Sequence, residues 1–319
     1  MATKPKNYQR YFEHVERFHC EVKMSVRGFQ RSSKGYAIAH HGELLQGEFE
    51  DDGVFVRALA TLPLPNLTST AIFSQNGTDK LNVCPENFQK AKKAAEKTIE
   101  ILKLPPGGDL VIESSIPIGK GYGSSTADIA AAINALTNYY GITIKPKIFA
   151  QIALEAETAS DSTIYNSIPM LYAQRLGKPL EIFGLELPDF ALLSIDSDPT
   201  GYVFTEKMEL PIYSQFEKDK FKLLRSALHI AVKTANIEMI GNIATESSEI
   251  NQKYLPKKNW SIIKEIKEKS SALGIQVAHS GTLVGLIYDK RNILFKNNIQ
   301  LAIDLFQDKL SFEAIPYFE

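Results

Sequence analysis

The stretch Pro117–Ile133, PIGKGYGSSTADIAAAI, sets Gly119, Gly121 and Gly123 directly ahead of an alanine-rich run. Glycine is a poor helix former and alanine the best, so a bare backbone feeds straight into a helix start. The first turn of a helix leaves backbone N–H groups unpaired and carries about half a positive charge. An anionic group, phosphate above all, fits there. The glycines let the backbone close on such a ligand without side chains in the way. Ser124 and Ser125 add hydroxyls at the first turn, one able to ligate magnesium and the other to cap or touch phosphate. Lys120 adds a cation. The same residues also read as a glycine turn before an ordinary core helix. The Walker pattern is absent, and the dinucleotide fingerprint fails because position 126 is Thr.

The 319 residues suffice for one large or two ordinary domains. A net charge of -1 gives no global attraction for nucleic acid or an anionic membrane. No apolar run reaches about 18 residues, so no membrane span is expected. The N-terminus, MATKPKNYQRYFEHVERFHCEVK, is charged and lacks the apolar segment of a secretory signal, which predicts a cytoplasmic protein. Cys20 and Cys84 cannot build a disulfide framework or a cysteine-rich zinc site, and both read as plain thiols.

Residues 1–34 form a polar extension with Tyr8, Tyr11, Phe12 and Phe18, read as a short helix or a tail. The run from Tyr36 to Leu64 reads as strands and turns. STAIFSQNGTDKLNVC predicts a hairpin turning at Asn76-Gly77. A helix is predicted from Pro85, with an apolar stripe of Phe88, Ala91, Ala95, Ile99 and Leu102, stopped by Pro105-Pro106. DLVIESSIPI reads as a strand, and the helix after the glycines stops at Gly141. KIFAQIALEAET is a further helix and FALLSID a buried strand. One long helical stretch is expected from about Phe221 to Lys253, then a helix ending at Gly274, then strand, glycine loop and strand in IQVAHSGTLVGLIYD. DSDPTGYVFTEKMELP reads as a domain crossing. Strands and helices alternate without a strict βαβ rhythm, so two α+β domains are expected.

The pattern Pro117-x-x-x-Gly121-x-Gly123-Ser124-Ser125 resembles the ATP-phosphate loop of the GHMP kinases, whose motif usually ends in alanine where this chain has Thr126. Two more blocks fall in that family's order. GELLQGEF, Gly42 to Phe49, is similar to its N-terminal motif, and AHSGTLVGLI, Ala278 to Ile287, to its C-terminal glycine loop. Within the family, GEL-x-QG, KG-x-x-SSTADIA and an acidic stretch with DST, here EAETASDSTIYN, resemble the L-threonine kinases. In those relatives the acid and DST lie closer together.

The resemblance implies a two-domain α+β fold, with an N-terminal domain like the second domain of ribosomal protein S5 and a ferredoxin-like C-terminal one. The expected bounds are residues 35–190 and 191–319. It implies ATP and Mg²⁺ as cofactors and a small hydroxylated substrate, L-threonine first, with homoserine or a specialised-metabolite precursor as alternatives. A nucleotide-binding sensor is the reading from another class. Phosphate contacts fall on Pro117, Gly119, Gly121, Tyr122, Gly123, Ser124, Ser125 and Thr126, and on Ser280, Gly281 and Thr282. Asp161 is the expected catalytic aspartate, accepting or orienting the acceptor hydroxyl proton, although an aspartate before a helix also serves as an N-cap. Lys120 is expected to assist it. Ser125 with Glu157 or Glu155 should hold the metal. Residues two apart on a helix point about 200° apart, so only one glutamate can face the site, and Glu157 is preferred. Glu43, Gln46, Ser162 and Thr163 are expected near the acceptor. His279 reads either as a phosphate partner or as a structural residue, and the adjacent His40 and His41 make a poor metal signal. Arg57, Arg175 and Lys34 are candidate cations for a substrate carboxylate. No nucleic acid or membrane partner is expected, and a homodimer is left open.

Overall fold

The computed structural model describes residues 31–201, 210–310 and 317–318. Strands β1 (Ser32–Asp51) and β2 (Val54–Ser74) form a long hairpin. It turns at Asp52-Gly53, with φ of 49° and 79°, the left-handed pair whose twist matches the strands. β3 (Leu81–Cys84), α1 (Gln89–Leu102) and β4 (Gly108–Ser114) follow as a parallel strand–helix–strand unit. The predicted hairpin is therefore corrected. A turn does form at Asn76-Gly77, where Asn76 Oδ1 accepts from the Thr78 amide at 3.0 Å. However, β4 occupies the edge of β2, from Ser69↔Ser114 to Ser74↔Asp109, and β3 pairs with β4 instead.

Helix α2 (Ser124–Tyr140) is buried on nearly every side and ends at Gly141 in the left-handed region. Its small residues let it lie directly on β1: a Cβ at Gly35 would sit 2.2 Å from the Ala131 carbonyl oxygen. α3 (Pro146–Ala156), a 3₁₀ turn (Ser162–Tyr165), β5 (Met170–Ala173) and β6 (Lys178–Ile182) complete this half. The remaining elements are β7 (Ala191–Asp196), α4 (Gln215–Lys233), α5 (Ile237–Asn251), α6 (Trp260–Lys269), β8 (Gly274–Val277), β9 (Leu283–Tyr288), α7 (Phe295–Leu310) and β10 (Tyr317–Phe318). The sheet runs β10-β7-β9-β8-β1-β2-β4-β3, with β5 on β2 and β6 on β5. Glu43↔Val277 is the register pair that joins β1 to β8.

Several boundaries differ from expectation. The long helix is two helices: Ala235 has a φ of 49°, and the Asn236 side chain accepts from the Met239 amide at 3.0 Å to start α5 afresh. α1 begins at Gln89 rather than Pro85. α6 stops at Lys269, and Gly274 opens β8 instead of closing a helix. Cys84 is disulfide-bonded, not a plain thiol, and its partner lies outside the described residues. The N-terminal aromatics and residues 202–209 of the expected crossing also lie outside them.

Candidate active site

Three segments converge at the N-terminus of α2. The first is the glycine loop. Gly119, Gly121 and Gly123 have φ of 73°, 107° and 69°, a backbone that L side chains rarely adopt. No side chain caps the helix that follows, so its first-turn amides are available to an anion. The second segment is the loop between β8 and β9. It packs face to face on the first: a Cβ at Gly121 would meet the Ser280 carbonyl at 2.5 Å, and one at Gly281 the Lys120 carbonyl at 2.1 Å. The Thr282 and Leu283 amides donate to the Lys120 carbonyl at 2.9 and 3.2 Å. Thr282 Oγ1 is buried without a partner among the described residues.

The third segment, Glu157–Thr163, brings the acids. α3 ends at Ala156, so Glu157 leaves the helix in an extended conformation. Its carboxylate accepts from Ser125 Oγ at 2.7 Å, Thr126 Oγ1 at 3.1 Å and Lys90 Nζ at 3.2 Å. Burial raises its pKa, against the pull of Ser125 and Lys90. Asp161 Oδ2 lies 3.1 Å from the same Thr126 hydroxyl, whose single proton the two carboxylates share, and 3.0 Å from His40 Nε2. Although Asp161 occupies the N-cap position of the 3₁₀ turn, its side chain makes no capping hydrogen bond. Burial works against its charge, but His40, Thr126 and His279 outweigh that and hold its carboxyl below the usual value.

The first motif lies where β1 is bulged. Register shifts at His40/Glu43 and Glu43/Leu45 re-aim these side chains toward the loops. Gly42, at φ 58°, fits there because a Cβ would meet the Gln276 side chain at 2.5 Å and the Ala278 amide at 2.7 Å. Glu43 accepts from the His279 amide, and burial pushes its carboxyl up to about 7. Gln46 Oε1 pairs with His279 Nδ1 at 2.9 Å. His279 is driven down to about 4, by burial first and then by Lys257. Lys257 is the buried lysine among the described residues, with Nζ donating to the Gly281 carbonyl at 2.7 Å; burial pushes it down to about 8.

The structure therefore brings Gly119–Thr126, Glu157, Asp161, Glu43, Gln46 and the 280–282 loop together. Other expected residues fall elsewhere. Lys120 is held by Asp196 at 2.9 Å and by the carbonyls of Asp198, Pro199 and Gly201 at 2.7–3.2 Å, which gives a catalytic role no geometric support. Glu155 faces Lys97 at 3.5 Å and Gln151, on the outside of α3. Tyr122 is 1% exposed with its hydroxyl near Ser194, so its side chain is core while its carbonyl receives the His40 amide. Pro117, Ser162 and Thr163 are buried, and Ser124 is half-buried at the helix start. Arg57 is held by Glu48 and the Pro211 carbonyl, while Arg175 and Lys34 are exposed. Sequence reasoning missed His40 as the Asp161 partner, Lys90 and Lys257. Adjacency to the first motif marks His40; nothing local separates Lys257 from Lys258.

Comparison with known proteins shows the fold. Residues 89–174 match the GHMP kinases N terminal domain. A homoserine kinase structure from Cytophaga hutchinsonii superposes with a TM-score of 0.63 at 13% identity, covering 92% of this chain and 94% of that one. A galactokinase from Lactococcus lactis gives 0.65 at 12% identity, covering 90% and 92%. The chain thus has the α+β fold of the GHMP kinases. It is similar to the L-threonine kinase of Citrobacter freundii, 30% identical over 182 residues, 56% of this chain and 62% of that one. The chain spans about three-fifths of the length of the curated L-threonine kinases it matches, 62% and 59%. No helix among the described residues is long and apolar enough to cross a membrane.

Proposed function

We propose that the chain is an ATP-dependent kinase that phosphorylates the hydroxyl of a small molecule, L-threonine first, to give O-phospho-L-threonine and ADP. The observation that carries this reading is Asp161: a charged carboxylate, free of any capping bond, beside an uncapped helix N-terminus and a Ser125–Glu157 pair. Phosphoryl transfer asks for phosphate donors, a metal and a group that orients the acceptor hydroxyl. The α2 amides, with Ser124 and the 280–282 loop, would hold the phosphates.

Among the described residues no group of three or more His, Cys, Asp and Glu side chains forms a metal site by itself. Mg²⁺ does not need one, because it takes one or two protein oxygens and fills the rest with phosphate and water. Ser125 and Glu157 fit that donor set. The bound ion would neutralise charge on the phosphates. Asp161 would accept the proton of the acceptor hydroxyl as its oxygen attacks the γ-phosphorus and ADP leaves. On this reading residues 35–190 carry the nucleotide and 191–319 close over it.

The test is ADP release with a panel of hydroxyl amino acids, with phosphorus NMR of the product. L-threonine is expected to turn over and to carry phosphate on its side-chain oxygen. Preferential turnover of L-homoserine would move the assignment to that substrate, and no turnover with any acceptor would favour the sensor. Asp161→Asn keeps the shape and removes the base. Its kcat should fall on the order of 10² to 10⁴-fold with ATP affinity nearly constant.

A further inference from the structure

His40 is 5% exposed and meets Asp161 through Nε2 and Oδ2 at 3.0 Å. The Thr126 hydroxyl, whose one proton is shared with Glu157, lies 3.1 Å from that same oxygen. Among the described residues Oδ1 accepts no hydrogen bond, and the Asp161 side chain is 20% exposed. The carboxylate is thus pinned by one oxygen and open at the other. The backbone is built to hold the pair. The His40 amide donates to the Tyr122 carbonyl at 3.0 Å. Gly123 leaves the necessary room, since a Cβ there would lie 2.2 Å from His40 Cδ2 and 3.2 Å from Asp161 Oδ2. Across the ring, His40 Nδ1 is buried without a partner among the described residues.

We propose that His40, as an imidazolium, is a positioning residue that pins Oδ2 of Asp161 so that Oδ1 faces the acceptor hydroxyl. This rests on Asp161 acting as the base of the proposed kinase. The charges that face His40 are Asp161, from the segment before the 3₁₀ turn, and Glu43, on its own strand. Its neighbour His41 is driven down to about 3 by burial and stands neutral. His279 and Glu157 stand behind Asp161, and Lys257 behind Glu43. Burial disfavours the charged ring, but the two carboxylates outweigh it, so His40 keeps its proton above the ordinary histidine range. In the transfer step the acceptor O–H bond breaks, its oxygen bonds the γ-phosphorus, and the bond to the ADP oxygen breaks. The hydroxyl proton passes to Asp161 Oδ1 and then to solvent at the open edge. His40 retains its own proton throughout.

Two measurements test this. In ligand-free protein with labelled histidine, the His40 ring followed by NMR should titrate above 6.5 and fall in Asp161→Asn. A midpoint at or below 6.5, or one unmoved by Asp161→Asn, overturns the inference whether or not an acceptor is known. With an acceptor the wild type phosphorylates, His40→Gln should lower kcat on the order of 10- to 100-fold with the ATP KM within about two-fold. It should also erase the alkaline limb of the pH profile, which reports loss of the imidazolium, and move the acid limb upward as Asp161 loses its cation. A smaller kcat with both limbs in place indicates a merely structural role and overturns the proposal. Should His40→Gln not fold, the NMR titration decides alone. A wild type that releases no ADP with any acceptor removes the kinase reading itself. That failure is distinct from wild-type turnover with an unshifted His40.

Discussion

Glu155 and Glu157 have the same chemistry and sit two positions apart, yet their surroundings differ completely. Glu155 is on the last turn of α3, bonded to Gln151 and near Lys97 at the surface. Glu157 is past the helix end, 2.7 Å from Ser125 and largely buried. Glu157→Gln keeps an acceptor for Ser125 but loses the charge a divalent ion needs. It is expected to raise the Mg²⁺ concentration required for half-maximal turnover about ten-fold or more, while Glu155→Gln leaves that requirement unchanged. A magnesium titration of both variants checks this, and equal, mild effects would count against either glutamate as a ligand. The rule that only one glutamate can face the site was readable from helical geometry. The choice between them turned on where α3 stops.

At the scale of elements, propensity and pattern placed most helices and strands but not their partners. The Asn76-Gly77 turn is present, and the strand after it simply goes elsewhere, because the six-residue ladder of β4 takes the β2 edge that the four residues of β3 would have used. The long apolar pattern from Phe221 continues through both α4 and α5, so periodicity alone could not see the break at Ala235. The cap could be seen only once Asn236 was known to bond Met239. Asn236→Ala should therefore destabilise the fold by about 1 kcal/mol, the usual cost of losing an N-cap. Urea melts should show a lower midpoint with an unchanged slope; a midpoint equal to wild type would mean the cap is idle.

At the scale of the whole molecule, Glu43 stands at the seam where β1 meets β8. Its carboxyl is raised from 4.5 to about 7, by burial first. A carboxyl raised on folding contributes stability that is fully present below its unfolded value and is lost as pH rises through the folded one. Wild type should therefore lose stability between about pH 4.5 and pH 7 on account of this group. Glu43→Gln, which keeps an acceptor for the His279 amide, should melt a few degrees higher than wild type at pH 8 and together with it at pH 4. A variant less stable than wild type at pH 8 would mean that the charge of Glu43 is favoured in place, by His40 and Lys257, more than burial disfavours it.

The sequence by itself determined the local chemistry. Three glycines before an alanine-rich helix dictate a bare helix N-terminus, since glycine supplies the backbone freedom and alanine the helix propensity that follows. The order of the three glycine motifs was equally plain. Tertiary structure alone decided which groups meet there. Lys120 lies inside the loop, but the carbonyls of Asp198, Pro199 and Gly201 draw its ammonium away. His40 comes from a strand more than a hundred residues before Asp161, aimed by a bulge no local pattern announces. Lys257 reaches the Gly281 carbonyl from the segment between α5 and α6. Backbone conformation follows from steric and propensity terms within a few residues and is legible in order along the chain. Pairing of buried charges depends on desolvation and on partners from distant segments, which exist only once the sheet has brought β1, α2 and the β8–β9 loop together.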